Sequence, residues 1–346
     1  MRLTHCAFLA MAVFSMMSMV ACDRSAPAPT VTLYSSIDGT ILREVVAAYE
    51  AETGVTVNVL GDTEATKTTG LVERVLAERD RPRADVWWSS EPFGTLRLAQ
   101  AGVLAPHVPE ALSASWPPEL RGEGDLWFGV GMRARVIAYA SDRLAPEQVP
   151  QTLRELTDER LRGRVGIAQP QFGTTRGHMG ALAVAWGEDE LEAWLADMVE
   201  NDMRVYDGNA TIVQAIARGE IDVGLTDTDD VFAAQRQGWS VGMVLEPLEV
   251  PGRGPRWSIG AMGIPTTAAL VAGAPQPDEA RRLLEWIASG KAEAVLAASE
   301  ARFAPVSRTV AMEHPEATLD GVVPVDLAAV ADAIDNAMAI TTRTLP

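Results

Sequence analysis

Hydrophobic and polar positions along the chain switch repeatedly between two periods. Val31 to Ser35 is a short β-type run. Ile41, Leu42, Val45, Val46 and Tyr49 then recur at helical spacing, and Gly54 supplies a C-cap. Val55 to Leu60 predicts the next strand, Leu71 to Glu78 a helix, Ala84 to Trp88 a strand, and Phe93 to Ala101 a helix closed by Gly102. The middle repeats the theme, with strands over 135–140, 164–168 and 221–226 and helices over 152–161, 174–186, 188–201, 210–218 and 231–237. Asp278 to Ser289, opening at Pro277, is the clearest late helix. Such alternation predicts largely parallel sheets covered by helices, in two α/β units with the second inserted into the first. Trp87 and Trp88 fall on alternate faces of one strand and are expected in the core, whereas core and cleft both suit Trp257.

The first residues follow a different pattern. Arg2 and His5 precede an apolar run from Ala7 to Val20, broken only by Ser15 and Ser18, and Met19 to Cys22 closes it. A basic start, an apolar core and a small-residue exit predict a secretory leader over 1–21, too short to span a membrane as a helix. Cys22 after Ala21 predicts lipidation, although Met19 stands where such motifs usually carry Leu; the other reading is an ordinary leader cut elsewhere. Residues 22–30 then suit a tether between a membrane surface and the folded part. With Cys6 removed and Cys22 lipidated, the mature domain has no disulfide, although its expected compartment permits them.

Net charge is −18, which argues against nucleic acid, whose phosphates need Lys and Arg. The enzyme signatures HExxH, GxSxG, Walker A and CxxC are absent. Gly129 to Ala134 loosely mimics a dinucleotide fingerprint, but it precedes a strand instead of opening a helix. His107, His178 and His314 are too widely spaced for a His-rich zinc site.

In open α/β sheets, ligands bind where strand C-termini meet helix N-termini. Five loops stand at such junctions. Ser35, Ser36 and Asp38 form the first, and Asp38 also suits a plain N-cap. Ser90 and Glu91 form the second, with Glu91 equally readable as a first-turn dipole partner. Gly173, Thr174, Thr175 and Arg176 open a helix as an anion site or an ordinary cap. Asn209 follows Gly208 in the fourth. Asp227, Asp229 and Asp230 form the fifth, richer in carboxylates than one cap needs and suited to a hard cation or a polyamine-like group.

The opening from Val31 to Ser36, the run from Tyr49 to Val57 and the strand Ala84 to Trp88 followed by Glu91 resemble periplasmic ferric-binding proteins of ABC importers. So do Ala101 to Ala105, Arg133 to Val136 and Gly208 to Leu225. The similarity covers most of residues 31–305. It implies a type II-like two-lobe fold of mixed, mostly parallel sheets flanked by helices, with a hinge between lobes. Lobe 1 is expected at 31–131 plus 259–305, and lobe 2 at 132–258 plus 306–346. Arg133 and Arg135 would lie near the crossing.

The same resemblance implies iron(III) as cargo with carbonate, phosphate or citrate, and a monomer that meets an inner-membrane permease from the extracytoplasmic side. Glu91 falls near the family glutamate and Asp38 where a histidine would be. Gly173, Thr174, Thr175 and Asn209 fall at the anion loops. The family's tyrosine pair falls on Asp229 and Asp230, so Asp38, Glu91, Asp229 and Asp230 become the implied metal ligands. Four facing carboxylates repel unless a cation or protons join them. A small amine-bearing zwitterion such as an aminophosphonate, or a polyamine, is the alternative cargo. A hydrolase or transferase on the same scaffold would need a nucleophile–base pair that the sequence does not offer. A sensory binding subunit is a third possibility.

Overall fold

The computed structural model describes residues 28–62, 68–112, 116–245, 248–249, 258–259 and 261–346. The leader, Cys22 and Trp257 lie outside the described residues. The first half of the chain runs β1 (Thr30–Ser35), α1 (Gly39–Thr53), β2 (Thr56–Gly61), α2 (Thr69–Ala77), β3 (Val86–Ser89), α3 (Pro92–Gln100), β4 (Leu104–Ala105) and β5 (Phe128–Ala140). Next come β6 (Val165–Ala168), α4 (Gly173–Trp186), α5 (Glu188–Glu200), β7 (Arg204–Tyr206), α6 (Asn209–Ala217), β8 (Val223–Asp227), α7 (Thr228–Arg236) and β9 (Val241–Val244). The last part holds β10 (Leu248–Glu249), β11 (Ser258–Ile259), β12 (Ala261–Val271), α8 (Pro277–Ala288), α9 (Lys291–Ala298), α10 (Arg308–Glu313), β13 (Val322–Pro324) and α11 (Leu327–Thr344).

Two parallel strand groups lie at opposite ends of one path, β2-β1-β3-β12-β5-β8-β6-β7. At one end β1 pairs with β2 and β3 in parallel, and at the other β6 pairs with β7 and β8 in parallel. The long strands β5 and β12 join them, antiparallel to each other and to the groups they meet. These strands make the fold mixed and create its two lobes. The first part of β5 pairs with β12, whereas Arg135 to Tyr139 pair with β8 of the second lobe. Arg133 and Arg135 therefore sit where the chain passes between lobes.

Trp87 and Trp88 are both buried, in clusters on opposite faces of the first sheet, as strand alternation requires. The helix expected over 152–161 is instead two short 3₁₀ turns, Arg154–Thr157 and Glu159–Leu161. Carbonyls that an α-helix would use are taken elsewhere. Asn201 Nδ2 donates to Leu156 O at 3.1 Å and to Asp158 O at 3.0 Å, and Trp194 Nε1 donates to Leu153 O at 3.0 Å. The apolar residues still face inward, because Leu153, Leu156 and Leu161 are buried.

The lobes also touch closely away from the crossing. Phe93 of α3 packs into the second lobe's core, against Gly177 of α4. A Cβ on Gly177 would fall 2.0 Å from Phe93 Cε2, so only glycine permits this approach. The C-terminal helix α11 lies along α4 and α5 and also reaches α3.

Behind the crossing, Glu293 of α9 is buried and accepts three backbone N–H groups. Oε1 takes Gly131 N at 2.9 Å and Val306 N at 2.7 Å, and Oε2 takes Ser307 N at 2.9 Å. Met132 and Ala304 exchange backbone bonds alongside, Met132 N to Ala304 O at 2.7 Å and Ala304 N to Met132 O at 2.8 Å. One side chain thus fastens two interlobe segments. Glu293→Gln removes an acceptor oxygen from this clamp. It is expected to cost about 1–3 kcal/mol of stability, the effect of leaving a buried donor unpaired, measurable by urea unfolding.

Candidate functional site

Three helices of the second lobe begin side by side at strand ends: α4 after β6, α6 after β7 and α7 after β8. Across from them are the β1–α1 and β3–α3 loops. Gly173 has φ +55°, a left-handed conformation that favours glycine at this turn. Ser90 and Arg133 line one side of a small cavity of about 20 Å³, and Gly173, Thr174, Thr175 and Asn209 line the other. A larger cavity of about 390 Å³ lies beside it, with Glu91, Arg97, Arg176 and Asp335 in its wall.

Asp227 organises the floor. Its Oδ1 accepts from Arg135 Nη1 at 2.8 Å, and its Oδ2 accepts from Thr174 Oγ1 at 2.7 Å and Asn209 Nδ2 at 2.9 Å. Arg133 Nη1 lies 3.3 Å from the same Oδ2 and donates to Asp229 Oδ2 at 3.0 Å. Arg133 Nη2 donates to Ser90 O at 2.6 Å, across the cleft. Burial opposes charge on Asp227, but the Arg135 and Arg133 guanidiniums and the Thr174 hydrogen bond outweigh it and hold the carboxyl below its ordinary range. Burial likewise opposes charge on Arg133, and Asp229 and Asp227 more than restore it.

The structure brings together only part of the set drawn from the sequence. Among the described residues, Asp227, Asp229 and Asp230 form a carboxylate group whose ligand atoms lie within 4.8 Å of one another. Asp230 accepts from Thr226 Oγ1 at 2.8 Å, and both Asp229 and Asp230 sit in the first turn of α7. Asp38 is exposed and caps α1, accepting from Thr40 N at 2.8 Å. Glu91 caps α3, accepting from Phe93 N at 2.6 Å and Gly94 N at 3.0 Å. Neither joins the acidic group.

Ser35 donates to Trp88 O at 2.7 Å, while Ser36 Oγ takes Ser90 N at 2.9 Å, tying the two first-lobe loops together. Thr175 donates to Asn209 Oδ1 at 3.2 Å, within the anion loops. Arg176 turns away from those loops to Asp335 of α11, Nη2 to Oδ1 at 3.1 Å. The cation that the facing carboxylates were expected to need is present within the protein itself, because Arg133 and Arg135 pair with Asp227 and Asp229.

That arginine pair was the missed element. Residues two apart on a strand share a face, and a buried cation requires a partner. The spacing of Arg133 and Arg135 carried this signal. Both are buried, and among the described residues Arg133 Nε with Arg135 Nε and Nη2 make no hydrogen bond. His178, one turn beyond Thr174, is pushed well down from its ordinary pKa by burial and by Arg135, so it is neutral beside them.

The sequence matches the bacterial extracellular solute-binding protein family over residues 44–323. The chain belongs to that family. It is 30% identical over 295 residues to iron uptake protein A1 of Synechocystis sp., covering 81% of this chain and 78% of that protein. It superimposes on iron-bound HitA from Pseudomonas aeruginosa with TM-score 0.76 at 23% identity, covering 92% of this chain and 100% of that one. The periplasmic binding protein AfuA from Actinobacillus pleuropneumoniae, with exogenous fructose-6-phosphate bound, gives TM-score 0.76 at 19% identity, covering 92% and 98%. These relatives bind solutes and are not enzymes, and this solute-binding protein shares their two-lobe fold. No helix among its described residues is long and apolar enough to cross a membrane.

Two predictions follow from the geometry. Asp227→Asn breaks a buried ion pair and is expected to cost about 3–5 kcal/mol, read by denaturant unfolding. Burial pushes the Glu91 carboxyl up to about 7 from an ordinary 4.5. The folded protein then keeps a proton that the unfolded chain has lost between these values. Glu91 therefore lowers stability as pH rises through that window, by up to about 3 kcal/mol, with no further change above it. Glu91→Gln should flatten this slope in unfolding curves compared at pH 5 and pH 8.

Proposed function

We propose that this solute-binding protein captures iron(III) together with a small chelating anion between its lobes and passes it to the permease of an ABC importer. Lipid on Cys22 would tether it at the extracytoplasmic membrane surface. The observation that carries this reading is the meeting, in one cleft, of the Asp227, Asp229 and Asp230 carboxylates with three helix starts and Arg135. Carboxylate oxygens are hard donors suited to a hard cation. Gly173 to Thr175 and Asn209 present N–H and hydroxyl groups suited to the anion. Iron uptake protein A1 and iron-bound HitA support iron as the cargo by their names and likeness.

The chain's four tyrosines do not supply phenolates to the acidic group. Tyr34 donates to Glu78 Oε2 at 2.9 Å, and Tyr49 is buried against Trp286. Tyr139 of β5 and Tyr206 of β7 pack against apolar core clusters of the second lobe. The anion then has to complete the metal's coordination, which favours carbonate, phosphate or citrate as partner. Closure would turn the expected lobes, 31–131 plus 259–305 and 132–258 plus 306–346, about the β5–β12 crossing.

A second reading is a small organic solute carrying an amine and a phosphate or phosphonate. The observation that favours it is Arg133, which already balances carboxylates that a metal would use. The two readings separate on thermal unfolding of the mature chain against ferric citrate, ferric iron with carbonate or phosphate, Mn²⁺, fructose-6-phosphate, aminoethylphosphonate and polyamines. A ligand at about 100 times its dissociation constant adds roughly 2.7 kcal/mol, visible as a raised midpoint. Stabilisation by iron with an anion is expected. The Asp229→Ala, Asp230→Ala double variant should lose that shift and still fold, since Asp227 keeps Arg135. A shift with the organic ligands alone sinks the iron reading.

A further inference from the structure

We propose that Arg133 is a resident counter-cation that sets the charge of the cargo: the cleft excludes a bare metal ion and admits the metal only within an anionic chelate. The inference rests on the iron-and-anion reading and narrows it to one class of substrate.

One guanidinium makes contacts with both lobes. Its Nη2 donates to the Ser90 carbonyl of the β3–α3 loop at 2.6 Å, and its Nη1 donates to Asp229 Oδ2 at 3.0 Å while lying 3.3 Å from Asp227 Oδ2. The Phe303 ring packs against the guanidinium, 5.6 Å from Cζ to its centroid. The residue is only 4% exposed, so this arrangement is a packed part of the fold and not a surface pairing. A rigid fork is suited to holding two acceptors at once, which a flexible ammonium is not.

The acidic group's carboxylates thus already face two guanidiniums, Arg133 and Arg135. Those cations draw on the charge that would hold a divalent or trivalent ion beside Arg133. Like charges brought together in a buried site repel strongly. A metal ligated by Asp229 would stand close to the cation that already holds that carboxylate. An anion arriving with the metal removes the conflict in two ways. It lowers the net charge of what enters, and it gives the unpaired Arg133 Nε and Arg135 Nε and Nη2 donors something to bind. Citrate complexes of iron(III) have this chemistry: a hard metal enclosed by carboxylates whose outer oxygens accept hydrogen bonds.

The test is a pair of affinities on the purified mature protein, for Mn²⁺ alone as the bare-ion probe and for ferric citrate. The wild type is expected to bind ferric citrate and to bind Mn²⁺ weakly. Arg133→Gln removes the charge and should reverse the preference, tightening Mn²⁺ and weakening ferric citrate by about tenfold or more each. Arg133→Lys keeps the charge without the fork and should keep the wild-type order of preference. Should Arg133→Gln not fold, Arg133→Met fills the same buried space without charge and is expected to reverse the preference equally. An unchanged ratio of affinities, or an equal loss for both probes, overturns the counter-cation and reduces Arg133 to a structural tie. A wild type that ignores ferric citrate overturns the iron reading, and the counter-cation with it. A wild type that binds ferric citrate with no change of ratio in the variants overturns the counter-cation alone.

Discussion

Arg133 and Arg135 lie two residues apart on the strand that runs from one lobe into the other, and both reach Asp227 at the end of β8. Burying a carboxylate beside two guanidiniums is favourable only when every partner is in place, because each ion has given up water. The surrounding site follows from meeting that demand. Thr174 and Asn209 satisfy the remaining oxygen of Asp227, which fixes where α4 and α6 begin. Ser90 satisfies the other arm of Arg133, which brings the first lobe's loop to the same place. The cleft is thus built around an internal charge balance.

Much of the fold was legible in the sequence because the alternating β and α periods are strong and the sheets need them. The pattern over 41–52 became α1, 188–201 became α5 and 278–289 became α8, each within two residues at either end. The pattern failed where a side chain outbid the backbone. At 152–161 the apolar spacing was helical, yet Asn201 and Trp194, distant in sequence, claimed the carbonyls. Periodicity reports which face is buried and not who takes each hydrogen bond.

The site was legible as loops and less so as roles. Reading helix starts after strands put Thr174, Asn209 and the acidic run at strand-to-helix junctions, and the fold has them there. Those positions could not reveal that Asp227 is committed to arginines on another strand, or that Glu91 and Asp38 each serve their own helix as caps. Facing charges across a sheet register are a tertiary fact. The resemblance to ferric-binding proteins carried the fold well, and it carried the metal ligands less well, because Asp229 and Asp230, where it implies a tyrosine pair, meet Arg133 and Thr226.

Glu293 gives the molecule a mechanical property. A single carboxylate grips the backbone at Gly131 and again at Val306 and Ser307. Those two stretches of chain are therefore pinned to one helix, and neither can shift against α9 without breaking a buried hydrogen bond.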